Sequence, residues 1–97
     1  MGKIKRFIYA DTIGNGVYGF DGRNHILPNS PDETKKGKIG NFNVSIRRHK
    51  YLDKYGNPLY DVYVFDNRTG KNGFPTGSSA SYQVEKAIKK TGCDIRR

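Results

Sequence analysis

Apolar positions along the chain come in short runs of aromatic and β-branched residues, separated by polar, glycine-bearing stretches. The first run, residues 3–13 (KIKRFIYADTI), reads as a strand. Asn15-Gly16 follows it, then Val17-Tyr18-Gly19-Phe20, and Asp21-Gly22 closes the run. An Asn-Gly pair supplies the two positive-φ residues of a type I′ turn, so this text predicts a hairpin with Ile13 opposite Tyr18. Residues 27–41 (LPNSPDETKKGKIGN) carry two prolines, three lysines and little apolar material, and read as a loop.

A second hairpin is written more plainly. In Phe42-Asn43-Val44-Ser45-Ile46 apolar and polar residues alternate, which marks a strand with one buried face. Tyr55-Gly56-Asn57-Pro58 is turn chemistry, and Leu59–Phe65 (LYDVYVF) returns with apolar residues on both faces. Tyr60, Val62 and Val64 fall on one side, Leu59, Tyr63 and Phe65 on the other, so this strand is expected at the centre of its sheet. Residues 66–80 are again rich in glycine and serine and read as a loop.

One helix follows. Ser78, Ser79 or Ser81 can cap it, and Ala80, Val84, Ala87, Ile88 and Thr91 form a single stripe at helical spacing. Gly92 supplies the stop, and Lys89 and Lys90 suit the negative end of the helix dipole. The pattern predicts one small basic α+β domain over 1–97: two β-hairpins forming a roughly four-stranded antiparallel sheet, with the C-terminal helix packed on it.

Composition narrows what such a domain does. Of 97 residues, 18 are Lys or Arg against nine Asp or Glu, a formal charge of +9. That surplus is the electrostatic footprint of a polyanionic partner. Hydrophobic residues make up 34% of the chain, but seven tyrosines and five phenylalanines supply large buried areas, so a thin, aromatic core is expected. Cys93 stands alone, which excludes an intramolecular disulfide and points to a reducing, cytoplasmic setting. No apolar run reaches the length of a membrane span, and Phe7-Ile8-Tyr9-Ala10 is too short for the core of a signal peptide. No membrane partner is expected.

Gly14, Gly16 and Gly19 spell G-x-G-x-x-G, the spacing of phosphate-cradling turns. A dinucleotide-binding turn must open a helix, however, and Phe20-Asp21-Gly22-Arg23-Asn24 is poor helix text. A kinase glycine loop needs a downstream V-A-I-K lysine, H-R-D and D-F-G, all absent here. The triad therefore reads as hairpin chemistry, with Gly19 marking a bulge or a close approach in mid-strand. No cofactor is expected.

The candidate contact residues cluster on the second hairpin. Arg47, Arg48, His49 and Lys50 end its first strand, and alternation sends Arg47 and His49 to one face, Arg48 and Lys50 to the other. Tyr51 and Tyr55 lie beside them as rings on which bases can stack. Arg68 and Lys71 sit in a glycine-bearing loop, and the Lys35-Lys36-Lys38 run in the loop before the hairpin adds phosphate contacts through counterion release.

His25 and His49 are the only histidines, a bare minimum for the acid–base chemistry of a ribonuclease-like toxin. No spacing of His, Cys, Asp and Glu suits a metal. The primary expectation is a non-enzymatic protein that binds DNA or RNA largely through the backbone, without sequence-specific readout. The alternative is an accessory or inhibitor protein of a mobile element that docks on a host protein complex through an exposed aromatic patch. A ribonuclease-like toxin is third.

Overall fold

The structure, a computed structural model, describes residues 6–10 and 27–97. The predicted Asn15-Gly16 hairpin, the glycine triad and His25 lie outside the described residues. The elements are β1 (Phe7–Tyr9), β2 (Thr34–Ile39), β3 (Phe42–Leu52), β4 (Pro58–Asp66), β5 (Asn72–Gly73), β6 (Thr76–Gly77), α1 (Ala80–Lys90) and β7 (Asp94–Arg96). Strands β2 to β6 make a five-stranded antiparallel sheet, with helix α1 packed on one face. The chain is thus α+β, an antiparallel sheet carrying a C-terminal helix.

The alternation of β3 decides which face is buried. Phe42, Val44 and Ile46 are almost wholly excluded from solvent, and their β4 counterparts Val62 and Val64 join them. These side chains meet Ala80, Val84, Ala87 and Ile88 of α1. Burying each such side chain is worth roughly 1.5–3 kcal/mol, so this one layer carries most of the hydrophobic stabilisation. Ser79, rather than Ser78 or Ser81, caps the helix: its hydroxyl accepts from the Tyr82 N–H at 3.4 Å. Gly92 takes φ +92 just beyond the C-cap Thr91, and its N–H donates to the Lys89 carbonyl at 3.0 Å. β4 lies between β3 on one side and β5 and β6 on the other, as its two apolar faces imply.

Two parts of the sequence reading are corrected. Within 27–41, Thr34–Ile39 is not loop but the edge strand β2, paired with β3 from Thr34↔Arg47 to Ile39↔Phe42. The turn between them is Gly40-Asn41, with Gly40 at φ +56, the first-position glycine of a two-residue hairpin. A strand with Ile39 as its only large apolar residue is held by backbone pairing rather than by burial, and leaves little hydrophobic pattern. Within 66–80, the short strands β5 and β6 hydrogen-bond the far edge of β4 at Val64–Phe65 and Tyr60–Asp61.

Within its described residues the N-terminal run is shorter than read, and it has a partner that the sequence reading did not name. Its strand is Phe7–Tyr9, paired in parallel with β7 from Phe7↔Asp94 to Tyr9↔Arg96. This two-stranded unit stands apart from the antiparallel sheet. It is anchored by Ile8 and Ile95, which pack against the main core, and by Arg6.

Candidate nucleic-acid interface

The sheet has a second face, opposite α1. Cross-strand register places its residues in rows. Lys38, Asn43, Phe65 and Asn72 form one row, Lys36, Ser45 and Tyr63 the next, and Thr34, Arg47, Asp61 and Thr76 the third. Lys36, Lys38, Asn43, Arg47 and Tyr63 are exposed, and no described element packs over them. Tyr63 meets Phe74 edge-on, ring centroids 5.8 Å apart and planes at 83°. Both lysines are exposed, and among the described residues neither Lys36 nor Lys38 has a carboxylate partner.

Arg47 differs. Its guanidinium lies 3.3 Å from Asp32 and 3.9 Å from Asp61, so two carboxylates already share its charge. Asp61 is held in turn by the Thr76 hydroxyl, which donates at 2.6 Å. Arg48 is on the helix side of the sheet, opposite Tyr60, and its guanidinium donates to the Asn29 carbonyl at 2.6 Å. Its backbone fixes the same loop: the Arg48 N–H donates to Glu33 O and the Arg48 carbonyl accepts from Asp32 N–H. Arg48 is a structural tie between loop and sheet.

Strict alternation ends at Arg48. Between Arg48↔Tyr60 and Leu52↔Pro58 the register shifts, with His49, Lys50 and Tyr51 on β3 set against Leu59 alone on β4. This bulge re-aims the side chains that follow it. It is closed by a side chain: His49 Nδ1 accepts the Tyr51 N–H at 3.1 Å, with the two rings 5.3 Å apart. Lys50 holds its ammonium 5.3 Å from the Tyr51 ring centre, and Lys54 repeats the arrangement over Tyr55 at 5.2 Å.

The turn beyond is built around Asp53. One carboxylate oxygen accepts from the N–H groups of Tyr55 (2.9 Å) and Asn57 (2.8 Å), and the Asp53 carbonyl accepts from Gly56 N–H. The Asn57 N–H, with desolvation opposing it and the Tyr55 N–H assisting, holds the Asp53 carboxyl below its ordinary value. Tyr51, Leu52 and Tyr55 stand out from this hairpin at 62%, 57% and 77% exposure.

The remaining predicted contacts are dispersed. Lys35 lies on the opposite side of β2 from Lys36, half-buried and 3.4 Å from Glu33, because strand alternation separates two residues that a loop would have kept together. Arg68 and Lys71 are exposed in the β4–β5 connection, where their backbones serve Asp66: the Arg68 N–H donates to its carboxylate at 2.9 Å, and the Lys71 carbonyl accepts the Asp66 N–H at 2.8 Å.

Phe65 and Phe74 were not among the predicted contacts. Phe65 is legible once β3 is paired to β4, because it then falls in register with Asn43. Cys93 is buried, and that burial pushes its thiol above the ordinary value, so it stays protonated and inert. Among the described residues no three His, Cys, Asp or Glu side chains gather to hold a metal, and no helix is long and apolar enough to cross a membrane. No family model, curated protein or solved structure matches the chain.

Proposed function

We propose that this protein is a non-enzymatic nucleic-acid-binding module that lays the phosphate backbone along the uncovered face of its sheet. The observation that carries the reading is the pairing of Lys36 and Lys38, both without a carboxylate partner among the described residues, with Asn43, Ser45 and Tyr63 on one open face. Lysines there neutralise phosphates and release counterions, while Asn and Ser side chains donate to phosphate oxygens without reading sequence. The overall charge of +9 draws a polyanion towards the molecule from a distance.

Binding to labelled single- and double-stranded DNA and RNA at about 50 and about 200 mM salt tests this. A site that neutralises three phosphates weakens roughly 40-fold between those salts. No detectable binding at the lower salt overturns the proposal. It would promote docking on a host protein through the exposed Tyr51, Leu52 and Tyr55 instead.

A further inference from the structure

Resting on the nucleic-acid reading above, we infer that the partner is double-stranded DNA and that the β3–β4 hairpin, His49 to Leu59, is a ribbon that enters its major groove.

The hairpin outruns the sheet. β2 pairs with β3 only as far as Arg47, and the loop that follows Pro28 reaches one residue further, to Arg48. On the other side β6 pairs with Tyr60 and Asp61 and no nearer the tip. From His49 to Leu59 the strands have only each other among the described residues. At about 3.3 Å per residue, Lys50 to Asp53, where the turn begins, spans roughly 10 Å, enough to reach the floor of the ~8.5 Å deep major groove of B-form DNA. Two strands about 4.8 Å apart, with their side chains, match a groove about 12 Å wide and exceed the ~6 Å minor groove. The deep, narrow major groove of A-form RNA excludes the same ribbon.

The tip is built to keep its shape. Asp53 gathers the N–H groups of Tyr55 and Asn57 on its carboxylate and that of Gly56 on its carbonyl, and the Asp53 N–H in turn donates to the Asn57 carbonyl at 2.9 Å. This spends the negative charge of Asp53 internally. Lys50 and Lys54 remain exposed on either side of it, so the ribbon presents cations to the groove walls. Little ordering is left to be done on binding.

The rings argue against a single strand. A base stacks on a free aromatic face. Here Tyr51 has the Lys50 ammonium over its ring and the tilted His49 ring beside it, Tyr55 carries the Lys54 ammonium on one face, and Tyr63 packs T-shaped against Phe74. Rings braced in this way act as side walls with a hydroxyl tip, suited to base edges and thymine methyls rather than to intercalated bases.

The test compares four probes of one sequence: a DNA duplex, the same duplex with glucosylated hydroxymethyl groups filling its major groove at cytosine C5, the RNA duplex, and single-stranded DNA. The wild type should bind the plain DNA duplex about tenfold more tightly than each of the others. Tyr51→Ala/Tyr55→Ala and, separately, Lys50→Ala/Lys54→Ala should bring the plain duplex down to the level of the filled one. All four positions are exposed, so circular dichroism should report an unchanged fold.

Equal affinity for plain and filled duplex, or tighter binding to the single strand, overturns the hairpin inference. In either case salt-sensitive binding leaves the nucleic-acid reading standing. Absence of binding to all four probes at low salt overturns both.

Discussion

Arg6 and Asp66 are sixty residues apart in sequence and form a two-pronged ion pair, guanidinium to carboxylate, at the end of β4. Asp66 is wholly buried, whereas the Arg6 side chain keeps about a quarter of its exposure. The carboxylate also accepts from the Arg68 N–H and from the Thr69 hydroxyl, each at 2.9 Å. Arg6 in turn lies over the Phe42 ring at 5.8 Å, and its carbonyl accepts the Asp94 N–H at 2.8 Å. One pair thus joins β1, β7, the core and the β4–β5 turn.

Removing either partner leaves the other charge without its counterpart. Asp66→Ala is expected to destabilise the fold by about 3 kcal/mol, at the low end for buried pairs because Arg6 can turn to water. Arg6→Ala should cost a similar amount. A double-mutant cycle followed by urea unfolding should give a coupling of at least about 1 kcal/mol. Additive losses would show that the two side chains act separately.

Acid should unfold the protein through the same residue. Burial pushes the Asp66 carboxyl up, but the Arg6 guanidinium, the Arg68 N–H and the Thr69 hydroxyl together outweigh it and hold it below the ordinary value. Glu33 is also lowered, chiefly by the N–H groups of Asn29 and Ser30. A carboxyl depressed in the folded state stabilises above its unfolded pKa, about 4, and that contribution is lost as pH falls towards the folded value. The urea midpoint should be flat from about pH 7 to 5 and drop below that. Much of the drop should vanish in Asp66→Asn. A midpoint unchanged between about pH 5 and 3 would contradict this account.

How much of this was legible in the sequence depends on the range of the contact. Val62, Val64 and the α1 stripe announce themselves by period, because a helix or central strand must show its buried face every few residues. β2 does not, since Ile39 is its one strong apolar anchor and lysines fill its solvent side. The pairing of Phe7–Tyr9 with Asp94–Arg96 leaves no local mark at all, and neither does the Arg6–Asp66 pair. At the candidate site, alternation correctly separates Arg47 from Arg48. It fails beyond Arg48, where a bulge closed by His49 resets the register. The loop reading of 27–41 likewise hid the division of Lys35 from Lys36 between two faces.

Gly73 marks where β5 presses on α1. A Cβ there would lie 2.8 Å from the Ala87 carbonyl oxygen and 2.9 Å from its Cα, both backbone atoms that cannot swing aside. Gly73→Ala should therefore cost about 2 kcal/mol through a displaced strand or helix. Gly70→Ala, which has open space but φ +76, tests backbone strain alone and should cost about 1 kcal/mol. Thermal unfolding ranks the two, and a Gly73 variant as stable as wild type would deny the close approach.

On the open sheet face, lysines and arginine should separate by their partners. Lys36→Ala/Lys38→Ala should make the slope of log affinity against log salt shallower by about 1.8, or about 0.9 for each phosphate no longer neutralised. Arg47→Ala should change it less, because Asp32 and Asp61 already occupy that guanidinium. Asp32→Asn/Asp61→Asn should release Arg47 and steepen the slope. Filter binding over a salt series reads all three, and equal slopes would remove this face from the interface.

The parallel pairing of β1 with β7 also sets an order of events during synthesis. β2, β3 and β4 meet through short turns and can pair as soon as they leave the ribosome. Phe7–Tyr9 has to wait for Asp94–Arg96, made about 90 residues later, which at ~5–20 residues per second is a delay of roughly 5–20 s. Over that interval β1 lacks β7, so its parallel pairing is completed by residues translated about 90 positions later.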